Sequence, residues 1–184
     1  MKPKRLQTLH FFIYNLFNKK VGATIISKLS KRCFTQTEYD SFYSQVCSDY
    51  AEELEISGKL DHVNAVNKAE SENKRLLSQG LSTPGAHFAL FEENCHTIGY
   101  YWLTEKQKGM ILLGFIFIYP EFRGLGYGKR LMSMVEKDAT KLGKKYVILN
   151  VFKYNQAAVG LYKKCGYKVK LENEYAYGMR KKLL

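Results

Sequence analysis

Three alternating glycines, Gly124, Gly126 and Gly128, form the segment whose residue types most directly indicate chemistry. They follow an apolar run and precede a helical pattern, which predicts a turn between a strand and a helix. Backbone N–H groups converge in such a turn, and the N-terminus of the following helix adds partial positive charge. The segment therefore predicts an anion site that would accept a pyrophosphate.

Two phosphate-binding loops of other protein classes do not match these glycines. A Walker A loop ends in Gly-Lys-Ser/Thr, but Arg130 follows Lys129, and Arg123 stands where the first glycine is required. A Rossmann loop needs Gly-x-Gly-x-x-Gly, and Lys129 stands at its third glycine position. At this point a tight structural turn without a ligand remains an equal alternative.

A second motif lies downstream, from Asn155 to Tyr167. It resembles the Asn-x-x-Ala-x-x-Leu-Tyr-x-x-x-Gly-Phe/Tyr signature of the GCN5-related N-acetyltransferase (GNAT) family. The Arg-x-x-Gly-x-Gly pattern from Arg123 to Gly128 resembles the acyl-coenzyme A loop of the same family, and residues 118–120 are similar to the Val-x-Pro that ends its fourth strand. The resemblance extends from Thr24 to Leu184 and is most specific between Ile111 and Tyr167.

The resemblance implies acetyl-coenzyme A as cosubstrate and no metal. The loop amides would hold the pyrophosphate, and the central strand would pair its backbone with the pantetheine arm along a free edge. The family obtains that edge by splaying its fourth and fifth strands, which periodicity alone does not predict. The residues implied in coenzyme binding are Ile116, Phe117, Ile118, Arg123, Gly124, Leu125, Gly126, Tyr127, Gly128, Lys129, Asn155 and Ala158.

Tyr162 stands where the family commonly carries a tyrosine that protonates the leaving thiolate. A phenol with a pKa of about 10 stays protonated at neutral pH and lies near the pKa of a thiol. A core aromatic is the alternative, because the chain contains fourteen tyrosines. The resemblance thus implies direct attack of a primary amine on the thioester, with Tyr162 as general acid.

The general base is left open by the sequence. Several family members carry a carboxylate in the central strand, but residues 111–119 contain none. Glu92 and Glu93, at the end of the preceding strand, are candidates, although solvated hairpin charges have the same pattern. His87 and His96 are further candidates, and neither lies in a spacing typical of metal sites.

The acceptor amine is also open, and small molecules, antibiotics, polyamines and protein amino groups all remain candidates. Residues 33–90 contain nine acidic and four basic residues. In the family this part of the chain includes the region that often flanks the acceptor pocket. Its negative charge would suit a cationic amine.

The elements that position these residues follow from periodicity and capping signals. Thr35 and Glu38 match a capping box, so a helix is expected to follow them, and a second helix is expected to end near Gly80. Further helices are expected from Gly128 to Leu142 and from Ala157 to Lys164. The expected strands are Thr24–Arg32, His87–Phe91, Thr97–Thr104, Met110–Tyr119, Tyr146–Phe152, Tyr167–Leu171 and Tyr175–Lys181. The Met110–Tyr119 run is almost wholly apolar, which predicts a central strand covered on both faces.

A length of 184 residues favours one domain, here residues 23–184, preceded by a basic extension of residues 1–22. The expected fold is a single α/β domain in which about four helices flank a mixed, largely antiparallel, twisted sheet of six to seven strands. The net charge of +12 raises a nucleic-acid-binding module as an alternative, and a non-catalytic acyl-CoA sensor of the same fold is a second one. The first 32 residues contain eight basic and no acidic residues, and no specific nucleic-acid motif is evident.

The remaining expectations concern compartment and assembly. The four cysteines form no Cys-x-x-Cys pair, which favours reduced thiols in a cytoplasmic protein. The apolar run near the N-terminus, residues 9–17, is too short to span a bilayer. Whether the chain forms a homodimer is not determined by the sequence.

Overall fold

The computed structural model describes residues 29–107 and 109–183, which form a single α/β domain built on one seven-stranded sheet. The strand order is β1-β2-β3-β4-β5-β7-β6, and every neighbouring pair is antiparallel except β4 and β5. In chain order the elements are β1 Ser30–Arg32, α1 Gln36–Ile56, α2 His62–Leu76, β2 Ala86–Glu93, β3 His96–Glu105, β4 Met110–Ile118, α3 Tyr127–Lys141, β5 Tyr146–Phe152, α4 Gln156–Lys164, β6 Lys168–Glu172 and β7 Ala176–Lys182.

The expected fold class is confirmed, and most element ends agree with the expected ends to within one or two residues. Of the strand expected from Thr24 to Arg32, only the last part, from Ser30, is described and is a strand. The proposed extension of residues 1–22 lies outside the described residues. Among the residues that are described, no helix combines the length and the apolar character needed to cross a membrane.

The start of α1 is fixed by the capping box that the sequence predicted. The Thr35 hydroxyl accepts a hydrogen bond from the Glu38 N–H, and the Thr35 N–H donates to the Glu38 carboxylate. Arg32 on β1 binds both Glu38 and Glu92, with N–O distances of 2.6–2.8 Å. The Arg32 guanidinium is the main reason that the pKa of Glu38 is lowered to about 2. These contacts attach the N-terminus of α1 to the edge of the sheet.

The two faces of the sheet are covered by different helices. On one face, Tyr39, Phe42 and Val46 of α1 pack on an aromatic cluster that includes Tyr100 and Trp102 of β3. On the other face, the apolar side of α3 packs on β4 and β5, together with residues of α4. Burial of these apolar side chains is the main stabilising contribution to such a layered domain.

The central strand β4 is buried only in its first half. Ile111 is fully buried and Leu113 is 4% exposed, whereas residues 115–118 are only partly buried. In the second half, Phe115 and Phe117 pack on the cluster of one face and Ile116 and Ile118 on that of the other, so both faces are covered, but less completely than expected. The physical reason is that β4 pairs with β5 only from Met110 to Leu113, and beyond that point the two strands separate.

A β-bulge marks the place where the separation begins. The register between β3 and β4 shifts after Trp102, which leaves Gly114 without a partner. A Cβ atom at Gly114 would lie 2.8 Å from the Trp102 ring, so the close approach of strand and ring requires glycine here. Past this bulge, residues 150–152 of β5 pair with β7 on their other side. The edges of β4 and β5 that face each other are therefore open.

Candidate active site

The open edge of β4 carries the backbone of residues 116 and 118. The Tyr119 N–H donates to the Ile98 carbonyl at 3.0 Å, on the β3 side. Successive residues of a strand direct their backbone groups to alternate edges, so the N–H groups of Ile116 and Ile118 face the opening. The structure thus contains the free edge that the family resemblance required, bordered by the residues assigned to the pantetheine arm.

The glycine loop lies at the end of this opening and leads into α3. Gly124 and Gly126 have φ values of +76° and +85°, a left-handed conformation that favours glycine. Gly126 is the N-cap of α3, and no side chain caps the helix there. The first N–H groups of α3 thus point toward the end of the opening without a side-chain acceptor, which suits an anion.

The third glycine of the motif has a packing role. A Cβ atom at Gly128 would lie 3.0 Å from a methyl carbon of Leu161 on α4. At Gly124 and Gly126, by contrast, a Cβ atom would meet nothing within 4 Å. Gly128 therefore allows α3 and α4 to pack closely, while the other two glycines leave the loop surface clear.

Several side chains of the loop hold protein groups in place. Arg123 donates from Nε to the Ile118 carbonyl at 2.9 Å, and its guanidinium lies 5.5 Å from the centroid of the Phe117 ring. The Tyr127 hydroxyl donates to Glu93, which also binds Arg130 at 2.9 Å. These contacts fix the loop to the sheet and leave its backbone for anion binding. Of the other assigned residues, Leu125 and Lys129 are exposed.

The expected base candidates all have other partners. Glu93 is 5% exposed and supports the first turn of α3, and Glu92 binds Arg32. His87 contacts Glu105 at 3.0 Å, and the His96 ring lies 2.8 Å from the Asn94 carbonyl. These contacts give all four residues a structural role.

Asn155 and Tyr162 lie at the other side of the opening, on α4. Asn155 is the N-cap of α4, and its side-chain oxygen accepts a hydrogen bond from the Ala158 N–H at 3.1 Å. Tyr162 is 7% exposed, and its ring packs against that of Tyr167, with 6.0 Å between the centroids. The assigned residue Ala158 is partly buried beside this apolar cluster.

The surroundings of Tyr162 lower the acidity of its phenol. Burial raises the pKa of the Tyr162 phenol above 10, and the negative charge of Glu53 raises it further. The phenol is thus held protonated at neutral pH, as the sequence predicted. The pKa of the Tyr162 phenol is therefore further from that of a leaving thiol than the sequence predicts, because a buried phenol is a weaker acid than an exposed one.

Glu53 is a half-buried carboxylate of α1 that the sequence did not single out. Burial, followed by the charge of Asp49, raises the pKa of Glu53 above its ordinary value of 4.5. Its sequence signal is its place in the acidic segment of residues 33–90.

A cavity of about 320 Å³ lies between α1 and the end of β4. Its floor is aromatic, with Tyr100, Phe117 and Tyr119, and its α1 wall is polar. Thr37, Ser41 and Gln45 of this wall are four residues apart, so they are neighbours along the surface of α1.

Groups of three or more residues suited to hold a metal ion are absent from residues 29–107 and 109–183. The cysteines at positions 33, 47, 95 and 165 form no disulfide with one another.

The fold and this arrangement define a coenzyme A-dependent type of acyltransferase site, and comparison with known proteins gives the family. The model of the acetyltransferase (GNAT) family matches residues 48–167, which is more than half of the chain. The chain belongs to the GNAT family and is an N-acetyltransferase of that type.

Similar proteins are found in Bacillus subtilis (strain 168). The uncharacterized N-acetyltransferase YdgE is 26% identical over 138 residues, which cover 72% of this chain and 87% of YdgE. The uncharacterized N-acetyltransferase YycN is 28% identical over 134 residues, which cover 71% of this chain and 86% of YycN. The crystal structure of YycN matches with a TM-score of 0.75 over 79% of this chain and 96% of that one.

The fold is also that of PaiA N-acetyltransferase from Thermoplasma acidophilum, whose crystal structure contains coenzyme A. The TM-score is 0.63, with 18% sequence identity over 84% of this chain and 99% of PaiA. At this identity the likeness concerns the fold.

Proposed function

We propose that the protein transfers an acetyl group from acetyl-coenzyme A to a primary amine at the opening between β4 and β5. The observation that carries the proposal is the open edge of β4, which leads at one end to the uncapped N-terminus of α3 and is bordered by Tyr162. A strand-like pantetheine arm and an anionic pyrophosphate are the two ligand parts that such neighbouring features fit.

The binding step uses mainly the backbone of the chain. Ile116 and Ile118 pair with the amide groups of pantetheine, and the pyrophosphate lies against the N–H groups of residues 124–128. Lys129 adds positive charge beside the phosphates. This arrangement holds the thioester near the C-terminal end of the opening, so that an amine arriving from the α1 side needs little further ordering to react.

The chemical step is direct attack of a neutral amine nitrogen on the thioester carbonyl carbon. The N–C bond forms, the C–S bond breaks, and the electron pair of that bond leaves on sulfur. Tyr162, whose pKa is raised by burial and which is protonated at neutral pH, donates its proton to the thiolate. The acylated nitrogen loses one proton, which returns Tyr162 to its protonated form, so one amine and one thioester yield one amide and one thiol.

The test is an assay of free thiol release from acetyl-CoA with a panel of amines, comparing the wild-type protein with Tyr162→Phe. We expect kcat to fall by about 100- to 1,000-fold in the variant, because a general acid typically contributes this much. The affinity for acetyl-CoA, measured by calorimetry, should change by less than about threefold because the pyrophosphate and pantetheine contacts remain.

Tyr167→Phe is the matched control, since it removes a hydroxyl from the neighbouring buried ring. Its turnover should equal that of the wild type. Full activity of Tyr162→Phe would disprove the role of the phenol. A wild-type protein that binds acetyl-CoA but acetylates no amine would reject the transferase function.

A further inference from the structure

A groove of 720 Å³ lies between α3 and the start of β1. Its lining contains five cationic side chains and one carboxylate, that of Asp138. The cations are Lys31, Lys129, Arg130, Lys137 and Lys141. This basic groove therefore carries a clear excess of positive charge, at a distance from the chemistry of the opening between β4 and β5.

Most of the positive charge of the basic groove lies in a row along α3. Lys129, Ser133, Lys137 and Lys141 are four residues apart and exposed, so they are neighbours on one side of the helix. At a rise of about 1.5 Å per residue, the row is about 18 Å long. Within residues 29–107 and 109–183, no carboxylate forms an ion pair with any of the three lysines. Their charges are therefore available to a partner that carries several negative charges.

The chain that precedes β1 arrives at this groove. Leu29, which stands directly before β1, lines the groove and packs against the core. The preceding residues 1–28 contain six basic and no acidic residues. Within them, residues 9–17 include two leucines, one isoleucine and three phenylalanines. A basic segment that contains an apolar run is therefore joined at Leu29 to a basic groove.

These two features match the two parts of an anionic lipid surface. Negatively charged headgroups attract Lys and Arg, and each such residue near the surface strengthens binding by about fivefold. The boundary between headgroups and acyl chains buries leucine and phenylalanine, whereas interfaces with nucleic acids are more polar. One weak apolar anchor gives only marginal binding, and a polybasic surface beside it makes the binding stable. The observations thus favour a membrane over a nucleic acid.

We propose that the basic groove and residues 1–28 together bind an anionic membrane surface. The lysine row of α3 lies against the headgroups, and the apolar side chains of residues 9–17 add burial at the acyl boundary. Only Lys129, at one end of the row, is also assigned to the coenzyme. The proposal concerns a different surface from the acetyl-transfer site and does not depend on that reaction.

The test is co-sedimentation of the whole chain with lipid vesicles at physiological ionic strength. One vesicle contains phosphatidylcholine and phosphatidylglycerol in equal amounts, and the other contains phosphatidylcholine alone. We expect binding to the anionic vesicle to be at least about tenfold tighter, because several lysines contact the headgroups. Equal binding to both vesicles, or binding to neither, would overturn the proposal.

Charge reversal in the groove tests the part played by the lysine row. Lys137→Glu combined with Lys141→Glu should weaken binding to the anionic vesicle by at least about tenfold. The matched control combines Lys168→Glu with Lys170→Glu on the exposed strand β6, at the other end of the sheet from β1. The control should bind within about threefold of the wild type, because distant exposed charges are screened. Equal losses in the two double variants would show an effect of net charge alone and would overturn the role of the groove.

Both double variants should bind acetyl-CoA within about threefold of the wild type, because neither changes the glycine loop. This measurement also shows that they are folded.

The apolar run is tested with Phe11→Ser combined with Phe12→Ser in the whole chain. Binding to the anionic vesicle should weaken by at least about tenfold, because a buried phenylalanine contributes at least that factor. Gln7→Ser combined with Thr8→Ser is the control and should bind like the wild type. Binding to a DNA duplex that depends on the lysine row, together with vesicle binding that does not depend on the phenylalanines, would replace the membrane by a nucleic acid and overturn the proposal.

Discussion

The strands β4 and β5 have two halves that differ in whether the two strands pair with each other. In the first half, residues 110–113 pair with residues 146–149, and Ile111 and Val147 are fully buried. In the second half, residues 115–118 and 150–152 do not pair with each other, and the side chains of 115–118 are only partly buried. Both halves of β4 are apolar. The hydrophobic pattern therefore predicts a central strand. It does not predict which half of β4 pairs with β5 and which half has an open edge, because that depends on the path of the two strands.

The surroundings of the two halves differ in the same way. The glycine loop, Asn155 and Tyr162 all lie toward the open half. The closed half lies among core residues of α3 and β7, such as Val135 and Met179. A division of this kind predicts that changes in the open half reduce binding or turnover, while changes in the closed half reduce stability.

The largest effect is expected for Gly126→Glu at the end of the open half. A carboxylate here places negative charge beside the pyrophosphate and fills the surface that the glycine leaves clear, so acetyl-CoA should bind at least about 100-fold more weakly. The φ of +85° adds a strain of about 1–2 kcal/mol in any residue with a Cβ atom. Calorimetric titration with acetyl-CoA measures the affinity.

Gly143→Glu is its control at the opposite end of α3. Gly143 has a φ of +69°, and a Cβ atom there would meet nothing within 4 Å, so the backbone strain and the added charge are matched. This variant should bind acetyl-CoA like the wild type. If Gly126→Glu still binds tightly, the phosphate site lies elsewhere in the molecule.

A smaller and opposite effect is expected for Leu149→Ala in the closed half. Leu149 is 2% exposed, and its truncation should lower the free energy of unfolding by about 2–4 kcal/mol through lost burial and a cavity. Turnover per folded molecule should remain within about twofold of the wild type. Urea unfolding and the thiol-release assay on the same sample check both statements. A tenfold loss of turnover in the folded variant would contradict the separation of the two halves.

The sequence predicted the parts of the molecule that depend on local signals. The capping box at Thr35 and the stop at Gly143 are read from neighbouring residues, and the structure confirms both. The motif from Asn155 to Tyr167 indicated α4 and its N-cap. The assignments of Tyr162 and of the coenzyme-binding residues remain predictions that rest on the family resemblance.

The parts that could not be predicted depend on contacts between distant segments. The register between β3 and β4 shifts at Gly114, and β4 and β5 separate beyond Leu113, and no local pattern encodes either feature. The same is true of the contact between Arg123 and the Ile118 carbonyl and of the pairing of Glu93 with Tyr127. These contacts hold the loop, and the roles expected for the three side chains in binding or catalysis remain predictions.

The measurement that tests the account most directly is amide hydrogen exchange, residue by residue, with and without saturating acetyl-CoA. If pantetheine pairs with the open edge of β4, the N–H groups of Ile116 and Ile118 should exchange at least about tenfold more slowly in the complex. Those of Ile111 and Leu113, which lie in the closed half, should be unchanged. Tight binding of acetyl-CoA without added protection at Ile116 and Ile118 would contradict the account.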